Sequence, residues 1–231
     1  MNYTLDEFGN YIGHYDDYIY EDGIMNNDLY LSEKIKILWI LKETHGKFNV
    51  KNYWGRKIYL QNNEPFNKNK QHTWKSVAKI TYQILNGCNT DNPLELAACL
   101  ERIAIINLKK TPGKEKVNNE YYNELNDDNK RTIFIEQIKR INPDIVIGAN
   151  TLNSIKQKEI PYRIGERIYL NKFSDDSQFM KKNSCFCFSN KLFINPYHPS
   201  HPMDKNEYVK VVVAAFHEWM KIKDNCPVFE W

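Results

Sequence analysis

Four short apolar runs, each ending on polar residues, limit what this chain can fold into: Lys36-Ile-Leu-Trp-Ile-Leu41, Ile103-Ala-Ile-Ile-Asn107, Asp144-Ile-Val-Ile-Gly148 and Leu192-Phe-Ile-Asn195. A run that is apolar at consecutive positions has no wet face, so it suits a strand covered on both sides in a parallel sheet. Helical segments separate the runs. Thr73 caps a helix through about Leu85, with Val77, Ile80, Ile84 and Leu85 on one face, and Pro93 opens a second through about Glu101. Asp127 or Asp128 starts a third through Ile141, where Asn142-Pro143 breaks it, and Asp204 caps the last through about Lys223. A short helix is expected after Asn150, and further strands at 167–170 and 184–188. The expected fold class is α/β, a three-layer αβα sandwich with a mainly parallel central sheet. Residues 31–231 show no linker or internal repeat and read as one domain.

Composition adds a partner. With 42% hydrophobic and 26% charged residues the chain can bury a core, which excludes disorder and collagen. Its net charge is only +3, but residues 1–30 hold Asp6, Glu7, Asp16, Asp17, Glu21, Asp22 and Asp28 and no Lys or Arg. The rest therefore sets 32 basic against 22 acidic residues, an excess of +10 that suits an anionic partner such as nucleic acid. The acidic, Tyr-rich residues 1–30 read as a segment apart, either a gate lying on that basic body, a structural wrap, or simply unevenly charged, solvated surface. Five cysteines, an odd number, and no signal-peptide pattern fit a reducing cytoplasm. The apolar runs fall short of the roughly 20 residues a membrane span requires, so no membrane partner is expected, and a monomer is. Cys185, Cys187, His198 and His201 are zinc-competent, but the Cys-x-Cys spacing is tighter than structural zinc sites use, and no metal is expected.

In a parallel sheet ligands bind beyond the carboxyl ends of the strands, so the residues that follow each run carry the chemistry. They are Lys42-Glu-Thr-His-Gly46, Asn107-Leu-Lys-Lys110, Gly148-Ala-Asn-Thr151 and Tyr197-His-Pro-Ser-His-Pro202; no Walker loop or GxGxxG is present. In order and spacing this set resembles the uracil-DNA glycosylase superfamily, whose members pair a first-strand motif such as GEAPG or GQDPYH with a late HPS motif. The matching segments are 37–46, 103–112, 135–149 and Tyr197-His-Pro-Ser200.

The resemblance implies a uracil-DNA glycosylase-like fold and a monofunctional DNA glycosylase. Such an enzyme hydrolyses the N-glycosidic bond of uracil or a modified pyrimidine and leaves an abasic site, in repair or in defence against phage with modified DNA. Glu43 would position water and stabilise the developing sugar cation, and His198 would donate to the departing base. The chemistry agrees, because breaking this bond builds positive charge on the sugar and negative charge on the pyrimidine. Asn107 would read the base edge, Trp74 would stack on the flipped base with Trp54, Tyr53 and Phe66 as rivals, and His45 would lie beside it. Lys42, Lys109, Lys110, Lys114 and Ser200 would meet phosphates. The cysteines lack the arrangement of the family's iron-sulfur branch, so no cluster or other cofactor is expected. Lys42 stands where many first motifs have Gly and His45 where most have Pro, which opens the pocket to a pyrimidine bulkier than uracil. Two other classes fit the same residues: a non-catalytic nucleic-acid-binding module, and a hydrolase of free nucleosides or nucleotides.

Overall fold

The computed structural model describes residues 2–15, 18–42, 53–54, 72–110, 125–152, 168–170 and 178–229. In chain order these form β1 (Asn2–Leu5), β2 (Tyr11–Tyr15), β3 (Tyr18–Ile24), α1 (Asn27–Ser32), β4 (Ile37–Leu41), β5 (Tyr53–Trp54), α2 (His72–Asn86) and α3 (Pro93–Leu100). They continue with β6 (Ala104–Asn107), α4 (Asp128–Ile141), β7 (Ile145–Gly148), β8 (Ile168–Tyr169), β9 (Met180–Cys187), β10 (Leu192–Pro196) and α5 (Lys205–Ile222).

Side chains that satisfy orphan backbone groups set the helix ends. Asn92 accepts from the Leu94 amide with Pro93 at the first helical position, Asp127 caps α4 through the Asn129 and Lys130 amides, and Asp204 caps α5 through those of Asn206 and Glu207. At the other end of α4, Asn142 takes the left-handed conformation with φ +46° and donates its N–H to Ile138 O, and Pro143 prevents continuation.

The four apolar runs form the middle of the sheet, parallel and in the order β6-β4-β7-β10. Leu38 lies between Ala104 and Val146, and Val146 between Leu38 and Phe193. Antiparallel pairs extend both flanks, β3-β2-β1 beyond β6 and β9-β8 beyond β10, while the short β5 joins β3 in parallel, so the sheet is mixed where a mainly parallel one was expected. Residues 1–30 supply one of these two flanks. Read from composition as a segment apart, they contribute three strands, with Gly23 opposite Ile105 and Ile24 opposite Ala104. Removing them would strip β6 of its antiparallel neighbour.

Alternation along β4 sends Ile37, Trp39 and Leu41 into a core with α2, α3 and α5, and Leu38 and Ile40 into a second core with α1 and α4. Helices therefore cover both faces of the sheet centre, which is why those strands carry no polar alternation. Trp39, fully buried, gives its indole N–H to Thr81 of α2 at 3.2 Å.

Gly148 closes β7 where no side chain fits. A Cβ there would stand 2.5 Å from Leu152 Cγ and 2.7 Å from Asn195 Oδ1. Gly148→Ala should therefore lower unfolding stability in urea by about 1–3 kcal/mol, the usual penalty for overpacking. An unchanged midpoint would show that the turn after β7 yields easily.

Candidate nucleic-acid site at the strand ends

The central strand β4 is followed in sequence by β6 on one side of it, whereas its other neighbour, β7, leads on to β10. The chain thus departs in opposite directions at the carboxyl ends of β4 and β7, the crevice where open α/β sheets bind ligands. The outer parallel strands, β6 and β10, are three spacings apart, roughly 14 Å at about 4.8 Å each.

This edge is stiffened by bonds that run past the strands. Leu108 and Lys109 amides bond Leu41 O and Lys42 O, both at 2.9 Å. On the other side of β4, Ile40 O accepts the Ala149 amide and the Thr151 hydroxyl, each at 2.9 Å, and the Asn150 amide bonds Pro196 O at 2.7 Å. Asn195, 1% exposed, accepts the Leu152 amide at 3.2 Å, while its Nδ2 has no hydrogen-bond partner among the described residues.

The loop after β10 presents His198. Its start is held at Tyr197, whose amide donates to Phe179 O (2.7 Å) and whose carbonyl accepts the Tyr208 hydroxyl (3.0 Å). The Lys205 ammonium, its pKa lowered by burial, spans the loop by donating to the carbonyls of Pro199, at 2.8 Å, and His201. His198 Nδ1 lies 3.2 Å from the Ser200 backbone N and 2.7 Å from Ser200 Oγ. A backbone N–H can only donate, so Nδ1 is the acceptor and the neutral ring carries its proton on Nε2. The loop therefore fixes the tautomer and holds a donor at the far side of the ring.

Asn107 ends β6 inside a buried polar network. Its amide N–H donates to Asp22 Oδ2 at 2.8 Å and its Nδ2 to the Tyr20 hydroxyl at 2.7 Å. Asp22, 3% exposed, also accepts from Tyr20 OH at 2.9 Å, from Gln137 Nε2 at 2.9 Å and from Lys110 Nζ at 2.7 and 2.9 Å. Lys110 donates further to Gln137 Oε1 at 2.7 Å and lies over the rings of Tyr11 and Phe134. Burial lowers the Lys110 pKa, and Asp22 beside it works in the opposite direction. Assigned from sequence to phosphate contact, the Lys110 side chain is only 14% exposed and its ammonium is bonded to Asp22 and Gln137 in the interior.

Of the other residues singled out in the sequence, Lys42 and Lys109 are half-buried at the ends of β4 and β6, and Ser200 is exposed on the His198 loop. Trp74 stands half-buried in the first turn of α2, packed on the core that contains Val77. Glu43, His45, Phe66 and Lys114 lie outside the described residues, as do the side chains of Tyr53 and Trp54. Cys185 and Cys187 point into the core with their thiol pKa values pushed up by burial, whereas His201 is exposed; among the described residues no three potential metal ligands come together. Beside the His198 loop, α2 and α5 enclose a groove of about 180 Å³ lined by Lys75, Ser76, Lys79, Lys205, Asn206 and Val209. Tyr20, Asp22 and Gln137 received no site role from the sequence, because none follows one of the four apolar runs, and Asn195, which does end one, was read only as the last residue of its strand. Compared with protein-family models and with curated proteins, the chain matches none.

The network allows a charge test. Asp22→Ala takes away the carboxylate to which the buried Lys110 ammonium is bonded at 2.7 Å and should cost about 3–5 kcal/mol of stability. Lys110→Met leaves the carboxylate three other donors, from Tyr20, Asn107 and Gln137, and should cost less. Urea unfolding of the two variants checks the order; equal losses would mean that the ion pair itself, and not the stranded charge, dominates.

Proposed function

We propose that this chain is a monofunctional DNA glycosylase of the uracil-DNA glycosylase-like fold, acting on uracil or a modified pyrimidine. The observation that carries this reading is the shared edge. Asn107, the turn after Gly148, the residues entering the Lys42-Glu43 motif and the His198 loop all follow parallel strands that end around one crevice.

The chemistry suits that placement. A base entering the crevice meets Asn107 from the β6 side and the His198 Nε2–H from the β10 side. As the glycosidic bond breaks, the electron pair moves onto the base, and a neutral N–H donor aimed at its carbonyl stabilises the anion without transferring a full charge. Because Nδ1 is occupied by Ser200, the donor is in place before substrate arrives, with no reorganisation at the moment of reaction. On the sugar side, the carboxylate of Glu43 would stabilise positive charge and orient the water that adds to C1′. The water gives its proton to the carboxylate or solvent, the base anion takes one up from solvent, and the products are the free base and a sugar hydroxyl.

Backbone phosphates would meet Lys42, Lys109 and the groove lined by Lys75, Lys79 and Lys205, which opens beside the His198 loop. Lys110 has no part in that contact, since its charge is spent internally on Asp22.

Mass spectrometry of bases released from a panel of uracil-containing, mismatched and hypermodified DNA tests the activity. His198→Ala should slow base release by about 10²–10³-fold, as for loss of one donor to a developing anion. Glu43→Gln should abolish it while DNA binding persists; normal turnover in both variants would sink the assignment, and binding without release from any DNA would make the chain a binding module. Replacing Lys75 and Lys79 together by Ala should reduce the slope of log binding constant against log salt by about 1–2. An unchanged slope would move the backbone path away from α2.

A further inference from the structure

We propose that Tyr20 and Asp22, on the amino-terminal hairpin, decide which base edge Asn107 reads. This rests on Asn107 being the base-reading residue of the proposed glycosylase.

The argument is a matter of counting protons. Among the described residues, every group hydrogen-bonded to the Asp22 carboxylate is a donor: the Tyr20 hydroxyl, the Asn107 backbone N–H, Gln137 Nε2 and the Lys110 ammonium. Asp22 is thus a pure acceptor and has no proton to give. Tyr20 owns a single hydroxyl proton, and at 2.9 Å that proton goes to Asp22. Only a lone pair of the phenol then faces Asn107. The side-chain atom 2.7 Å away must be the NH₂ group, and Oδ1 must point elsewhere. A side-chain amide is nearly symmetric in shape, so packing alone chooses poorly between its two orientations. Here the choice is made by the acceptor oxygen of Asp22 and transmitted through one hydroxyl.

That choice has chemical content. A pyrimidine presents two adjacent groups on its pairing edge. In uracil, N3 is a donor and the oxygen on C4 an acceptor; in cytosine, N3 is an acceptor and the amine on C4 a donor. An amide pairs with either edge through its oxygen and one N–H, but the two cases require opposite amide orientations at a fixed position in the site. Asn107 keeps Oδ1, which makes no hydrogen bond among the described residues, and its second Nδ2 proton for this purpose. Locking the amide locks the choice between a uracil-type and a cytosine-type edge, because the wrong one sets donor against donor and leaves buried groups unpaired. The hairpin residues that composition set apart from the fold are thereby specificity determinants, positioning residues that do not touch the base.

Tyr20→Phe removes only the hydroxyl. The test compares wild type and this variant on matched oligonucleotides carrying uracil, cytosine or 5-hydroxymethylcytosine, together with the side-chain amide signals of ¹⁵N-asparagine-labelled protein, Asn107 being assigned by its loss in Asn107→Ala. The expected result is a uracil-to-cytosine preference in wild type that shrinks at least about tenfold in Tyr20→Phe, with a shifted Asn107 amide resonance and unchanged melting of the rest of the spectrum. In Asp22→Asn the side-chain oxygen keeps the place of Oδ2, which accepts from the Asn107 backbone N–H as well as from Tyr20, so the phenol's proton stays where it is and the preference should persist if that variant folds; Tyr20→Phe decides. An unchanged preference together with an unchanged Asn107 signal in Tyr20→Phe overturns the proposal. If wild type releases no base at all, the glycosylase reading fails separately, and titration of free uracil and free cytosine against the Asn107 signal decides: a wild-type preference erased in Tyr20→Phe supports the proposal, and no preference in wild type overturns it.

Discussion

A carboxylate that is 3% exposed has to be matched, because leaving it unpaired in the interior costs several kcal/mol. Asp22 is matched by groups from β3 itself, from the end of β6, from the segment after β6 and from α4. One charge therefore ties together the amino-terminal strands, the sheet centre and a covering helix. Around it the hairpin is clasped further: Gln137 donates to Gly9 O at 3.0 Å, and Arg140 to Leu5 O and Asp6 O at 3.0 and 2.9 Å. The strand end that carries Asn107 is fixed by these contacts as much as by its own ladder.

The parallel centre contributes a different kind of rigidity. Ile40 O binds two groups of the turn after β7, and that turn in turn binds the end of β10, so the three strand ends move as one body. Lys205, at the start of α5, reaches back to the loop that its own helix follows. Short polar loops on a covered sheet are thus held without needing an apolar interior of their own, which is how binding residues come to be placed by a scaffold.

The centre of the fold was legible because its signals are local. Ile37 to Leu41 and Leu192 to Ile194 are apolar at every position, and Asp127, Asp204 and Asn92-Pro93 announce helix starts in the residues themselves. The hairpin was not, because Tyr11-Ile-Gly-His-Tyr15 and Tyr18-Ile-Tyr-Glu-Asp-Gly-Ile24 mix aromatic and acidic residues. Its charge suggested solvent, while Glu21 and Asp22 are in fact buried. The decisive partner of Asp22 is 88 residues away, and no pattern within a window reveals it. The candidate site divides the same way. His198 and Asn107 stand at the ends of readable strands, whereas the groups that orient them, Ser200 by its backbone and Tyr20 by its hydroxyl, act through geometry that spacing does not encode. Lys110 was misplaced for the same reason: a lysine beside a proposed ligand site looks like a phosphate contact until its buried acid is seen.

β1, β2 and β3 leave the ribosome well before β6, the strand that ties them to the sheet centre. They can pair with one another at once, but the Gly23–Ile24 end of β3 gains its neighbour only when β6 has been made, some 80 residues later by the register of Gly23 with Ile105. Loop closure over such a length is slow compared with hairpin formation. Until then Asp22 remains in water, where its charge is at no disadvantage, and Asn107 does not yet exist to be oriented. The acidity of the chain's beginning thus serves two moments: it keeps an unpartnered strand edge soluble during synthesis, and afterwards it becomes the buried charge around which the end of β6 is finished.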